Sequence, residues 1–326
     1  MNKIYRLLSY PLVLLLLNGC SQLNDTKTLF LAHSLPTSHP VHLGIVDFQK
    51  YVAENSGGKM VIKIFPDGQL GSERELLELL QIGSVAMTKV SAAVMASFAP
   101  EYEVLGVPYL FRDKTHCFNI LEGEVGKRLL DSSTDYLLQG LCFYDAGSRS
   151  FYTTKQAIKS PEDLKGLKIR VMNHQMSVDM VNAMGGSATP MAYGELYTAL
   201  QQGVVDGAEN NPPSFVSSNH YEVAKYYSLD EHTSIPDVLV IGTKFWDTLT
   251  DQEKEWLENA AARSVSTQKQ YWQESVDECM AVLEKAGVQV IKPEKVAFSQ
   301  KTEAILNQLM EDPKMKTIVE AIQSEQ

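Results

Sequence analysis

Two arginines carry the most legible chemistry in the chain. Arg149 lies in Gly147-Ser-Arg-Ser-Phe-Tyr152, and Arg170 lies in Leu167-Lys-Ile-Arg-Val171. Both sit in apolar, β-rich surroundings. A guanidinium at the C-terminal end of a strand can hold a carboxylate through two parallel hydrogen bonds, and ligands of open α/β folds gather at such strand ends. For either arginine alone, a surface or structural ion pair is the competing reading. Catalytic signatures are missing. The chain has no G-x-S-x-G elbow, no G-x-x-x-x-G-K-[ST] loop, no G-x-G-x-x-G and no H-E-x-x-H. His39 and His42 can share a helical turn, with His33 nearby, but no Cys or carboxylate completes a metal set, so no metal and no cofactor is assigned. Cys117, Cys142 and Cys279 fit no zinc or C-x-x-C spacing and read as small buried side chains.

These residues need rigid elements around them. Leu29–His33 reads as a strand. Pro40–Glu54 places Val41, Ile45, Phe48 and Val52 at helical spacing, and Asn55-Ser-Gly-Gly58 ends that helix. Met60–Phe65 is β-rich. Ser72-Glu73-Arg74-Glu75 is a capping box for a helix running to Gln81, and Val85–Val90 is the next strand. This β-α-β-α-β order predicts an α/β sheet with flanking helices. The pattern recurs after residue 140. Strands are expected at Leu141–Asp145, Phe151–Thr154, Leu167–Val171, Val204–Ala208 and Val288–Ile291, and a helix at Tyr193–Gln202. Thr250-Asp-Gln-Glu253 caps a helix without a breaker to Ala286, long enough to span two domains.

The 326 residues suit two domains. Hydrophobic residues make up 44% and charged residues 21%, an ordinary globular composition. The net charge is −11, which argues against sequence-independent nucleic-acid binding. Residues 1–20 read as an export signal. Lys3 and Arg6 precede a short apolar run, too short to span a bilayer. Leu17-Asn18-Gly19-Cys20 resembles a lipobox with Asn18 in place of the usual small residue, so Cys20 is a lipidation candidate and the protein is expected in the periplasm, soluble or lipid-tethered.

The stretch Gly166–Val171, followed by Gly186-Ser-Ala-Thr-Pro-Met-Ala-Tyr-Gly-Glu195 through Ala208-Glu-Asn210, resembles the defining block of the solute-binding proteins of TRAP (tripartite ATP-independent periplasmic) transporters. Phe65-Pro-x-Gly-Gln-Leu-Gly-Ser-Glu-Arg-Glu75, Lys165-Gly-Leu-Lys-Ile-Arg170 and Phe245-Trp-x-x-Leu-Thr250 match as well. The resemblance runs from about Phe30 past residue 290. It implies a two-domain, type II periplasmic-binding-protein-like fold of hinged α/β domains, with a long helix spanning both. The expected domains are 27–147 plus 236–275, and 148–235 plus 276–326. It also implies a monomer without enzymatic activity that closes over one organic anion and delivers it to membrane permease subunits. By this resemblance Arg170 clamps the carboxylate, Arg149 is a second basic contact, Asn210 orients the carboxylate, and Tyr193 packs beside the ligand. Glu73, His33 and Ser91 stand near positions that bind ligand hydroxyls.

A subgroup likeness narrows the ligand. Ser148-Arg-Ser-Phe-Tyr152, Gly207-Ala-Glu-Asn-Asn211, Pro213-Ser-Phe215 and His220–Ser228 look like members that bind uronates, although Pro212 stands where that subgroup has Trp. The expected ligand is therefore a hexuronate such as glucuronate or galacturonate. A sensory receptor for a sugar acid, or a hydrolase or lyase using Glu73, Glu209 and a histidine, are the alternatives.

Overall fold

The computed structural model describes residues 26–325; the expected signal and Cys20 lie outside the described residues. Two sheets organise the chain. The first contains β1 (Lys27–Ala32), β2 (Met60–Phe65), β3 (Met87–Ser91), β4 (Leu138–Tyr144) and β10 (Asp237–Gly242), in the order β2-β1-β3-β10-β4. The second contains β5 (Arg149–Thr153), β6 (Lys168–Val171), β7 (Ser187–Pro190), β8 (Gly207–Asn210), β9 (Tyr226–Thr233) and β11 (Gln289–Ile291), in the order β11-β9-β5-β8-β6-β7.

In the first sheet β1 runs parallel to β2 and β3, while β10 inserts antiparallel between β3 and β4. Every residue of β10 is buried, so it reads as a continuous apolar run after its first aspartate. The C-terminal ends of β1, β3 and β4 and the first residue of β10 therefore share one edge of the first lobe. In the second lobe the start of β5, the end of β6 and the end of β8 come to the same level. The two edges face each other, and the site lies between them.

The long helix Asp251–Lys285 begins with the expected capping box: Thr250 Oγ1 accepts from Glu253 N, and the Glu253 carboxylate accepts from Thr250 N. At about 1.5 Å per residue its 35 residues extend about 50 Å. Leu257, Ala260, Ala261 and Trp272 pack with β1, β2 and β4, whereas Leu283 packs with Tyr152 and Tyr227 of the second lobe. This one helix thus serves both cores. The chain also crosses between the lobes at 145–148, at 234–236 and in the region 295–312. Gln268 grips the first crossing: it accepts from Asp145 N at 2.9 Å and donates to Asp145 O at 2.8 Å. Gly147 has φ of +55°, and a Cβ there would lie 3.0 Å from the Trp272 ring, so both conformation and space favour glycine.

The expected boundary puts all of 276–326 in the second domain, but helix Pro313–Ser324 packs on the first lobe. Met315, Ile318, Val319 and Ile322 join Tyr102, Leu105 and Leu129 there. Strands β7, β9 and β10 and the helices Lys295–Leu309 and Pro313–Ser324 carried no clear sequence expectation. The β8 strand starts at Gly207 rather than Val204, because the residues before it turn after the preceding helix. Cys117, Cys142 and Cys279 are buried and free. Among the described residues no helix is long and apolar enough to cross a membrane.

Candidate functional site

A cavity of about 450 Å³ opens between the facing strand ends. Arg149, Arg170, Asn210, Tyr193, Glu73 and Ser91 all line it. His33 does not. It is fully buried behind the wall, where its Nδ1 accepts from Leu35 N at 3.2 Å and its Nε2 lies 3.0 Å from His42 Nδ1. With Nδ1 accepting, Nε2 carries the proton and donates to His42. Its location therefore makes it a support for the Ser34–Leu35 segment that faces the cavity.

Arg170 is 2% exposed. Its Nε and Nη2 both donate to Met191 O, at 3.0 and 2.8 Å, so one edge of the fork is fixed by the backbone. Nη1 is buried and has no partner. The Tyr193 ring lies 5.9 Å from the guanidinium carbon, and Tyr193 is itself held through its hydroxyl by Ser214 O and Ser218 Oγ. Burial lowers the Arg170 pKa from its ordinary value. Arg74, Lys89, Arg149 and Arg170 are the described Lys and Arg residues lining the cavity. The first three have carboxylate partners, and Arg170 has none.

Arg149 is differently placed. It makes a close ion pair with Glu209 through Nε, while Nη2 donates to Glu209 Oε1 and to Glu209 O, and Nη1 donates to Asn210 Oδ1 at 2.8 Å. Its charge is therefore matched inside the protein. Asn210 Oδ1 also accepts from Asn211 N at 2.9 Å. With that oxygen occupied twice, the Asn210 NH2 group is what remains for a ligand acceptor. Behind Glu209 stands His232, whose Nδ1 lies 2.7 Å from Asp230 Oδ2. Burial works against the Glu209 carboxylate, yet Arg149 and His232 hold it down to about 2. Burial likewise opposes the His232 charge, but Asp230 and Glu209 raise it to about 9. Arg149, Glu209, His232 and Asp230 thus form a neutral, buried chain that fixes the cavity floor.

The first lobe supplies a second polar group. Lys89, 2% exposed, lies 3.0 Å from Glu73 Oε1 and 3.2 Å from Asp237 Oδ2. Glu73 Oε2 accepts from Ser91 N at 3.2 Å, so the Ser91 backbone and the helix starting at Glu73 are tied together. Lys89 and Asp237 were not expected from sequence. Each had a signal: a lysine inside the otherwise uncharged, wholly buried β3, and an aspartate just before the apolar run of β10. His39 caps helix Pro40–Asn55 through Nδ1, and its Nε2 meets Ser214 Oγ of the second lobe at 3.1 Å. Ser97 Oγ donates to Asn173 O at 3.2 Å, so the lobes also touch at the mouth.

The buried histidines set a pH dependence. Burial holds His33 down to about 3, His220 to about 3 and His174 to about 4, from an ordinary 6.5. Below 6.5 the unfolded chain takes up these protons before the folded chain does, so stability falls as pH drops. His232, raised to about 9, stabilises below 6.5, and its contribution is lost as pH rises toward 9. Glu209 adds stability above 4.5 that is lost as pH falls toward 2. Burial lowers His39 and His42 as well, so melting temperature should peak near pH 6.5, with the acid limb steeper because five histidines act there against one on the alkaline side. A melting temperature that stays flat from pH 6.5 down to about 4.5 would contradict this.

A two-lobed α/β body with a charged cavity between its lobes defines the class of hinged solute-binding receptors. The model of the bacterial extracellular solute-binding protein family 7 matches residues 31–312, and the chain belongs to that family. Its members are substrate-binding receptors of TRAP transporters rather than enzymes. A solute-binding protein of Chromohalobacter salexigens is 36% identical over 293 residues, 89% of this chain and 87% of that protein. The C4-dicarboxylate-binding periplasmic protein of Rhodobacter capsulatus is 30% identical over 260 residues, 78% of this chain and 77% of its own length. Among solved structures, a TRAP periplasmic solute-binding protein from Xanthobacter autotrophicus with bound β-D-galacturonate has a TM-score of 0.89 and 37% identity, covering 91% of this chain and 100% of that chain. One from Roseobacter denitrificans with bound β-D-glucuronate has a TM-score of 0.89 and 32% identity, covering 92% and 100%.

Proposed function

We propose that this receptor captures a hexuronate, galacturonate or glucuronate, in the cavity between its lobes and hands it to a TRAP membrane permease. One observation carries the reading: a buried arginine, Arg170, lacks a carboxylate partner and has Nη1 unpaired in a cavity otherwise rich in matched polar groups. An anionic ligand would supply the missing partner. The Asn210 NH2 would give the same carboxylate a second donor. Arg149 would contribute through its remaining N–H, since its charge already faces Glu209. The Tyr193 ring would cover the apolar face of the sugar, and Glu73, Lys89 and the Ser91 hydroxyl would pair ring hydroxyls. Each of those hydroxyls costs free energy if buried without a partner. The galacturonate and glucuronate bound to the similar solved structures support the same class.

Isothermal titration tests the reading directly. Galacturonate or glucuronate should bind well above both succinate and glucose, and ligand at one hundred times Kd should stabilise the fold by about 2.7 kcal/mol. Tight succinate binding with no uronate binding would sink the ligand assignment and leave the receptor class intact. A lipid tether at Cys20 in the periplasm belongs to the same proposal. A diacylglyceryl adduct in the intact mass of native material would carry it, and an unmodified chain starting elsewhere would refute it.

A further inference from the structure

We propose that the Glu73–Lys89–Asp237 cluster selects monoanionic sugar acids, because it closes the first-lobe end of the cavity to a second carboxylate; this rests on reading the cavity as a sugar-acid site. The two ends of the cavity differ in charge economy. At the second-lobe end Arg170 has an unpaired Nη1 and no carboxylate. At the first-lobe end a single ammonium, Lys89, stands between two carboxylates at 3.0 and 3.2 Å. Glu73 Oε1 also accepts from Ser34 Oγ at 3.4 Å, and its Oε2 from Ser91 N.

A ligand carboxylate arriving there would meet two carboxylates and a lysine with one proton left to give. A hydroxyl meets a different site. It can donate to Glu73 or Asp237 and accept the last Lys89 proton. Burial and the neighbouring Glu73 charge already push the Asp237 carboxyl above its ordinary range, although Lys89 pulls it down. Further negative charge is therefore unwelcome. Placing like charges together in such a site is unfavourable, which is a selectivity device as much as an attractive contact is. The family includes a relative named for C4-dicarboxylates, so the discrimination must be built by residues of this chain.

The test is titration of the full chain with sugar acids paired against their dianions: galacturonate against galactarate, and glucuronate against glucarate. The native protein should favour each monoanion by about 100-fold. Glu73→Gln and Asp237→Asn each remove one carboxylate while keeping its shape, and either should narrow the gap by about tenfold. Melting curves identify which variant is folded, and one suffices. A dianion binding the native protein within about threefold of its monoanion, or folded variants that keep the full gap, would overturn the proposal. Uronates failing while gluconate still outbinds glucarate would sink the uronate reading and keep the cluster's role. A native protein that binds no sugar monoacid overturns both.

Discussion

Replacing Arg170 with alanine is expected to weaken ligand binding by roughly 30-fold to several-thousand-fold. Truncating one partner of a buried, hydrogen-bonded charge pair costs about 2–5 kcal/mol, much of it from the charge left behind. Here the charge left behind is the ligand carboxylate, because the other described Lys and Arg residues lining the cavity are already matched by Glu73 and Asp237, by Glu209, or by Glu78. Arg170→Lys should fail as well, for a reason visible in the geometry. The arginine does two things with one plane. Its Nε and Nη2 edge holds Met191 O, and its Nη1, buried without a partner, is the atom proposed to meet the ligand carboxylate. An ammonium has no such plane and cannot do both. Titration with galacturonate and glucuronate reads the loss, and a melting curve shows that the variant is folded. Near-native affinity in a folded Arg170→Lys protein would make Arg170 a structural residue.

Glu209→Gln should be the most destabilising of the conservative changes near the cavity. It removes one carboxylate from between two buried cations, Arg149 and His232. Breaking a buried pair from one side costs about 3–5 kcal/mol, because the surviving charge stays desolvated. His232 is then left with Asp230 alone, and its protonation should shift downward. An exposed pair supplies the contrast. Lys155 reaches Asp206 at 3.4 Å, but its side chain is 75% exposed, so Lys155→Ala should cost no more than about 1 kcal/mol. Thermal melting of the two variants side by side gives the comparison. Equal small effects would mean that the buried chain is easily rehydrated and does not fix the cavity floor.

Much of this site was legible because its chemistry interrupts apolar patterns. Arg149 and Arg170 each break a β-rich run, and Ser72 with Glu75 writes its capping box into four consecutive letters. What the letters could not give was partnership. Glu209 and Arg149 are 60 positions apart and Lys89 and Asp237 are 148 apart, so nothing local marks them as pairs. For the same reason Arg149 looked like a free ligand contact, although most of its donors face Glu209 and Asn210. His33 was displaced from the cavity by a hydrogen bond to His42, nine positions on, that periodicity alone does not reveal. The β10 strand is hard to read from sequence because its six buried residues lack the alternation that marks a half-buried strand. The expected boundary places helix Pro313–Ser324 on the wrong lobe because its apolar face says that it packs, not upon what.

The crossings between the lobes also govern how the protein can be made. The first sheet needs β10 between β3 and β4, and β10 begins at Asp237, after nearly the whole second sheet has been synthesised. The first core also includes Met315, Ile318, Val319 and Ile322 of helix Pro313–Ser324, which follows the whole second sheet. A nascent chain therefore carries an incomplete first lobe until helix Pro313–Ser324 has emerged, and its contacts span most of the described sequence. Such long-range closure folds slowly and late. In a family of extracellular receptors, a first lobe that cannot close before helix Pro313–Ser324 is made leaves the chain unfolded through the synthesis of its second sheet, the form in which a chain is threaded across a membrane.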